Sequence, residues 1–449
     1  MIVRRILCIT AAFLIMGSTV FAGATAKEMF RLTKEVSAKS KDRIWPGFDP
    51  IAFTVLKENS LQFSPEPNNP ESQIFMTLTS DYFAKYALEQ NLAITVHEAF
   101  HGFQRSPSRP GMKWGYENAM LIFEYVGTSA RNNALFAIEA RELEAALLAK
   151  DVSEMGTHVR DFLLIRGERQ RTLDPRFAEF ERGAELNEGI AEYAGTKAVL
   201  EAFGTAAAKK TGMMFEAESA EKFLAGKYSV LKSINRIGSN VRRKFYFTGS
   251  AQALLLDRLL PGEWKNRVQY KGASLEELLR EAVDPLGEVL RTKDYQAILA
   301  LEKKAETERQ AQNQLLLKET LEANGTKLTI DFADLEGSNF ILGFDPMNAT
   351  LIEPLVRVHT RYVKFGKNDR FSAVFNQAVV EDGKKNQYIA VIPGDLKIVA
   401  DGVELDISKD QEIAFERVLR IVSENIEIEI NAGTVTINKD EVRVHVAEK

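Results

Sequence analysis

Ile94-Thr95-Val96-His97-Glu98-Ala99-Phe100-His101-Gly102-Phe103 sets two imidazoles four residues apart with a carboxylate beside the first, in an otherwise uncharged run. On a helix, positions i and i+4 lie one turn apart on the same face, so His97 and His101 offer two nitrogens to one tetrahedral zinc. Glu98 stands about 100° round from His97 and can reach a water beside such an ion. Two histidines and a glutamate at this spacing are the signature of a metal-dependent hydrolase. The uncharged flanks suit a buried helix behind an active site.

Outward from this stretch, Ser80 or Asp81 reads as an N-cap, and Tyr82 to Phe103 has helical spacing of apolar residues, ending before Ser106-Pro107. Before it, Ile51 to Leu56, Leu61 to Ser64 and Gln73 to Thr79 alternate between turn formers and predict a small sheet. After it, helical patterns cover Glu117 to Asp151, Met155 to Arg169, Pro175 to Phe203, Tyr246 to Leu260 and Ser274 to Ala282. Tyr295 to Ala323 is long, polar and helical, with Lys303, Lys304, Glu306, Glu308 and Arg309 on a solvated face, and reads as a linker. Beyond Asn324-Gly325 the period changes to two. About seven strands are expected, over Lys327 to Phe332, Leu355 to Val363, Phe371 to Val380, Gln387 to Ile392, Leu396 to Ile407, Ile426 to Ile430 and Val442 to Val446.

The expected class is therefore α+β: a mostly helical catalytic region with a small N-terminal sheet over residues 27–300, a helical linker over 301–323, and an all-β sandwich or barrel over 324–449. Residues 1–26 read as a secretory signal peptide. Arg4 and Arg5 precede an apolar run from Ile6 to about Phe21, closed by the small residues of Val20-Phe21-Ala22 and Ala24-Thr25-Ala26. The run is short for an uncleaved anchor, so the expectation is export to a periplasmic or extracellular space with no stable membrane span. The single cysteine, Cys8, is lost with the leader, leaving a mature chain without disulfides. A composition of 45% hydrophobic and 27% charged residues excludes disorder and a multi-span membrane protein. A net charge of -5 without a Lys/Arg block argues against nucleic acid as partner.

A catalytic zinc usually has three protein ligands and one open position. The metzincin arrangement needs a histidine six residues after the second, and that position is Pro107. A glutamate on a later helix is the other common solution, and Asn187-Glu188-Gly189-Ile190-Ala191-Glu192-Tyr193 supplies one in Glu188, with Glu192 a turn further on the same face. Glu117, Glu124 and Glu142 are alternatives should the intervening helices fold back. His158, His359 and His445 stand in no metal-like spacing.

With these blocks the chain resembles the gluzincin metallopeptidases, the thermolysin and aminopeptidase N superfamily, in which an Asn-Glu ligand motif is followed four residues later by an acid. Tyr246-Phe247-Thr248-Gly249 resembles the Tyr-x-x-Gly segment of the aminopeptidase N and glycyl aminopeptidase families, and the three blocks come in the same order. The resemblance implies a Zn2+ held by His97, His101 and Glu188, with Glu192 accepting the free N–H of a ligand histidine. Glu98 is the implied general base and Tyr246 the implied oxyanion donor. Zinc in that setting polarises a scissile carbonyl and lowers the pKa of its water from about 15.7 towards 7.

The segment from Gly102 to Asn187 is far longer than in aminopeptidase N, and no Gly-x-Met-Glu-Asn motif precedes His97, so the resemblance does not extend to exopeptidase specificity. The expected substrate is a peptide or protein. Two other readings fit the same residues: a peptidase-like zinc-binding or interaction protein without activity, and a zinc hydrolase of a non-peptide bond.

Overall fold

The computed structural model describes residues 24–109, 111–114, 117–118, 121–122, 124–125, 129–204, 214–236, 241–284, 294–335, 340–345, 348–367, 370–439 and 441–447. All but the last three residues of the expected leader lie outside them. The class is α+β, with helices, a three-stranded N-terminal sheet and a C-terminal all-strand region. The chain forms two compact units, one of residues to Met112 with Ala194–Phe223, the other of Lys113–Tyr193 with Leu224–Lys449. No helix among the described residues is long and apolar enough to cross a membrane.

The first unit begins with a helix, Ala26–Ile44, in a stretch read as leader and mature start. Its start is a reciprocal cap: Glu28 N donates to Thr25 Oγ1 at 3.2 Å, and Thr25 N donates to Glu28 Oε2 at 2.8 Å. The Thr25 N–H and then the Thr25 hydroxyl, both donating to Oε2, hold the Glu28 carboxyl below its usual range. Met29, Leu32 and Val36 recur at helical spacing and are buried. A 3-10 turn, Pro50–Phe53, opens the region expected as the first strand. Then Thr54–Lys57, Ser60–Phe63 and Met76–Thr79 form an antiparallel meander with Met76–Thr79 at its edge.

The helix expected over Tyr82 to Phe103 is two helices. Thr79, not Ser80 or Asp81, caps the short Ser80–Phe83 by accepting from Tyr82 N, and the motif helix runs Leu88–Arg105. Asn91 supports the break: its Nδ2 donates to the carbonyls of Phe83 at 2.7 Å and Tyr86 at 2.9 Å, at the end of the first helix where carbonyls lack regular helical partners. From Val96 to Phe103 every residue of the motif helix is buried. Phe100 meets Phe48 and Trp45 edge-on at 4.9 and 5.4 Å between centroids. A Cβ on Gly195 would lie 2.4 Å from the Ala93 carbonyl oxygen, so the helix Ile190–Phe203 crosses the motif helix at backbone contact.

In the second unit the helix expected from Glu117 starts only at Ala130, capped by Ser129, and runs to Leu148. Leu121 is instead held in a tight turn, its N–H donating to the Asn118 carbonyl. Val152–Gln170 packs back along Ala130–Leu148. Pro175–Ala184 continues through a π-helical turn, Glu185–Gly189, into Ile190–Phe203, because the residues at both junctions keep right-handed helical angles. Arg243–Leu259 and Leu275–Val283 complete this helical part, the latter opened by a capping box between Ser274 and Glu277.

Tyr295–Leu321 is more than a solvated linker. Ile298 packs into the cluster of Ala134, Leu135 and Ile138, while Leu316, Leu317 and Leu321 cover Val356, Val358 and Val380 of the strand region.

That region is a sandwich of two sheets. One runs in the order Gln411–Phe415, Gly433–Asn438, Glu441–Val446, Thr326–Asp331, Gln387–Ile392, Val379–Asp382, Val356–His359, Ala349–Glu353; the other Val403–Glu404, Lys397–Ala400, Leu419–Ser423, Ile426–Ile430, Phe371–Phe375, Val363–Lys367, Ile341–Phe344. All pairings are antiparallel except Glu441–Val446 with Thr326–Asp331. Alternate residues such as Leu328, Ile330, Ile428, Ile430, Val442 and Val444 fill the core between the sheets. Among the described residues fifteen strands stand where seven were expected, because three expected runs each hold two strands and five further strands, Ile341–Phe344, Ala349–Glu353, Gln411–Phe415, Leu419–Ser423 and Gly433–Asn438, lie outside the expected runs. Val356–His359 and Val363–Lys367 lie in different sheets, as do Phe371–Phe375 and Val379–Asp382.

Candidate metal centre

The motif helix brings its two histidines together edge to face. Four residues apart, their rings lie 4.7 Å between centroids and nearly perpendicular, with the Nε2 atoms 3.1 Å apart. His101 Nδ1 stands 2.8 Å from Gln104 Oε1, a pure acceptor, so Nδ1 carries the proton and the Nε2 lone pair points inward. Glu98, beside His97, is 7% exposed. Burial, then the neighbouring Tyr86 and the Glu98 carboxylate, push the Tyr82 phenol up.

Glu188 sits in the π-helical turn. The wider turn carries an extra residue and re-aims what it holds, and such turns recur at functional positions. It is locked from two sides. Gly189 abuts Arg243–Leu259 so closely that a Cβ on it would lie 2.6 Å from Gly249 Cα, which gives the glycine of Tyr246-Phe247-Thr248-Gly249 a packing reason. Three residues before Glu188, the Glu185 carboxylate receives Arg166 through both terminal nitrogens at 2.9 and 2.7 Å and the Thr248 hydroxyl at 2.6 Å. Arg242 Nη2 donates to Glu188 Oε1 at 2.8 Å.

His97, His101 and Glu188 are all buried, and one ligand atom from each lies within 4.8 Å of the others. Donors about 2.0–2.2 Å from a tetrahedral zinc stand roughly 3.3–3.6 Å apart, close to the 3.1 Å between the two Nε2 atoms. Two imidazole nitrogens and a carboxylate oxygen, out of water, are a donor set that could hold a metal ion.

The other sequence candidates lie elsewhere or have other partners. Glu192 pairs with Lys227 at 2.5 Å. Among the alternative ligands, Glu142 pairs with His158 at 2.7 Å, Glu124 is half-exposed beside Arg176 at 3.3 Å, and Glu117 binds Arg242. His359 pairs with Glu381 and His445 with Asp334, both in the sandwich. Tyr246 OH accepts from Arg242 Nη1 at 3.3 Å.

Several residues of the centre have no sequence motif. Arg242 binds Glu117 through Nε at 2.5 Å and Nη2 at 2.7 Å, and Asn187 Nδ2 donates to the same Glu117 Oε2 at 3.1 Å. The one available signal is the spacing of Arg242 and Tyr246, which share a helix face at i and i+4. Behind Glu185 lies a fully buried ionic network. Arg169 joins Glu139 at 2.8 Å and Glu181 at 2.6 and 2.7 Å, and Arg166 reaches Glu139 at 3.3 Å. Burial drives the Glu139 carboxyl up despite Arg169 and Arg166. It acts in the same sense on Glu181, where it is outweighed by Arg169, and the Glu181 carboxyl falls below its usual range. Glu139, Arg166 and Arg169 come from helices between the motif blocks, so the long intervening segment builds the support under the Glu188 turn.

Compared with known proteins, the chain matches no family model, no curated protein and no solved structure.

Proposed function

We propose that this chain is an exported zinc-dependent peptidase of gluzincin type, with His97, His101 and Glu188 as metal ligands, Glu98 as general base and Tyr246 as oxyanion donor. The observation that carries the reading is that two buried imidazoles and a buried carboxylate, from blocks separated by nearly ninety residues, have ligand atoms within 4.8 Å of one another. Zinc suits two nitrogens and an oxygen in a tetrahedral set with the fourth position left open. When bound, it supplies Lewis acidity towards a carbonyl and towards water.

Glu98 takes the proton of the attacking water and returns it to the leaving amine. Its near-complete burial beside His97 suits that exchange. Tyr246 donates towards the developing oxyanion; one well-placed donor of this kind is worth about 3 to 4 kcal/mol. Glu192, the acceptor for a ligand imidazole that the resemblance implies, pairs with Lys227. A peptide as substrate is supported by Met76–Thr79, an edge strand that precedes the motif helix in the chain and pairs, among the described strands, only with Ser60–Phe63. An extended peptide can add to such an edge through main-chain hydrogen bonds.

The test is purified mature protein assayed against a mixed peptide library with and without a chelator. The expected result is zinc-dependent cleavage, abolished in Glu98→Gln while one zinc per chain is retained. Equal cleavage by Glu98→Gln and wild type removes the enzyme reading, and no zinc bound by wild type removes the metal centre.

A further inference from the structure

We infer that Arg242 is the positioning residue of the centre, anchored by Glu117, and that it sets the orientation of both Glu188 and Tyr246. The inference rests on the metal centre proposed above.

A guanidinium has five N–H donors in a rigid plane. In Arg242, Nε and Nη2 form a two-pronged pair with the Glu117 carboxylate, Nη2 also reaches Glu188 Oε1, and Nη1 reaches the Tyr246 hydroxyl. One plane therefore fixes three side chains. Glu117 keeps only 4% of its side chain exposed and receives a third bond from Asn187, the residue before Glu188, so the anchor is tied to the ligand's own backbone.

Two consequences follow for the chemistry. Of the two carboxylate oxygens of Glu188, Oε1 accepts from Arg242, which restrains the rotation of the carboxylate. The Tyr246 oxygen accepts from Arg242, so its own hydrogen must point elsewhere, as a donor to an oxyanion requires. Arg242 makes neither a ligand bond nor a bond to substrate in this scheme, and acts through the two residues it holds. Lysine in its place keeps a positive charge but cannot span three acceptors. Glu117 lies in the segment between the two ligand blocks, which thereby contributes to the centre itself as well as to its support.

Zinc affinity, read by competition with a chromophoric chelator, tests this without reference to turnover. Arg242→Met, Arg242→Lys and Glu117→Gln are compared with wild type, each after a thermal melt and circular dichroism show that it is folded. Loss of an outer partner of a ligand typically costs about 10- to 100-fold in metal affinity. That loss is expected in Arg242→Met and Glu117→Gln, with Arg242→Lys recovering only part of it. On a cleaved peptide, Arg242→Met is expected to lower kcat more than it raises KM, because Tyr246 then loses its orientation. Wild type that binds zinc while all three folded variants bind it equally well or more tightly overturns the role of Arg242 and leaves the metal centre standing. Wild type that binds no zinc overturns both.

Discussion

Gly189 and Gly249 meet backbone to backbone, with room for no side chain between them: a Cβ on Gly189 would lie 2.6 Å from Gly249 Cα, and one on Gly249 would lie 2.7 Å from the Glu185 carbonyl oxygen. Two blocks recognisable for their chemistry, Asn187-Glu188-Gly189 and Tyr246-Phe247-Thr248-Gly249, are thus also the two faces of one helix crossing. The crossing sets the distance between Glu188 and the helix that carries Tyr246.

Gly249→Ala is accordingly expected to force the helices apart. Overpacking of a tight core costs about 1–3 kcal/mol, and backbone atoms yield less readily than side chains, so the upper end applies. A urea titration should show the lower midpoint, and chelator competition a weaker zinc affinity, since Glu188 adjoins the displaced residue. An unchanged midpoint would mean that the close approach is not present in solution.

The ionic network under the π-helical turn carries its own pH signature. The Glu181 carboxyl is held below its ordinary value of 4.5 in the folded chain, burial opposing and Arg169 prevailing. A depressed carboxyl contributes stability that is complete above the unfolded value and is lost as pH falls through the folded one. Stability should therefore drop below about pH 4.5, and Glu181→Gln should flatten that drop. Arg169→Met leaves the buried Glu181 without a guanidinium partner and Glu139 with Arg166 alone, and is expected to cost about 3–5 kcal/mol at neutral pH. Denaturant midpoints between pH 3 and 7 decide both points; identical acid limbs for Glu181→Gln and wild type would count against the first.

Lys244 gives a slope of the same sign at the alkaline end. Burial pushes its amine down to about 7, against the pull of Glu302, while its Nζ donates to Asn133 Oδ1 at 2.6 Å. Between that value and the ordinary 10.5 the unfolded chain binds more protons than the folded one, so this lysine makes stability rise with pH, by at most about 1.4 kcal/mol per unit. Subtracting the Lys244→Met curve from the wild-type curve should leave that rise between pH 7 and 10 and a flat line below 7. A difference curve flat throughout would show the amine to titrate as an exposed one.

What could be read in the chain and what could not divides along physical lines. His97 and His101 were legible because a helix turns i and i+4 to one side whatever surrounds it, and Glu188 because an Asn-Glu-Gly run stands out in a helical pattern. The π-helical turn was not legible, since one added residue leaves the apolar period nearly unchanged. Arg242 carries no local mark beyond its spacing to Tyr246, and its partner Glu117 is 125 positions away. The apolar residues before Ser129 have a helical spacing, whereas the described helix begins at Ala130 under the Ser129 cap. In the sandwich, period two marked many of the strands, but in Gln411–Phe415 a polar Gln411 on the inner row and Ala414 on the outer blur the alternation, and runs that cross between sheets read as single strands.

Gln104 offers a test of the histidine half of the centre alone. It lies one turn beyond His101 on the motif helix, and its Oε1 accepts from His101 Nδ1 at 2.8 Å, which fixes the tautomer whose Nε2 lone pair faces His97. Gln104→Leu keeps the length and the helix but removes the acceptor, leaving the imidazole able to carry its proton on either nitrogen. Because such outer partners typically contribute about 10- to 100-fold in affinity, zinc binding should weaken by at least tenfold. Gln104→Glu, with a stronger acceptor at the same place, should bind zinc at least as tightly as wild type. The two variants bracket the wild-type value only if the hydrogen bond to Nδ1 matters; both falling together would point to packing of the side chain instead.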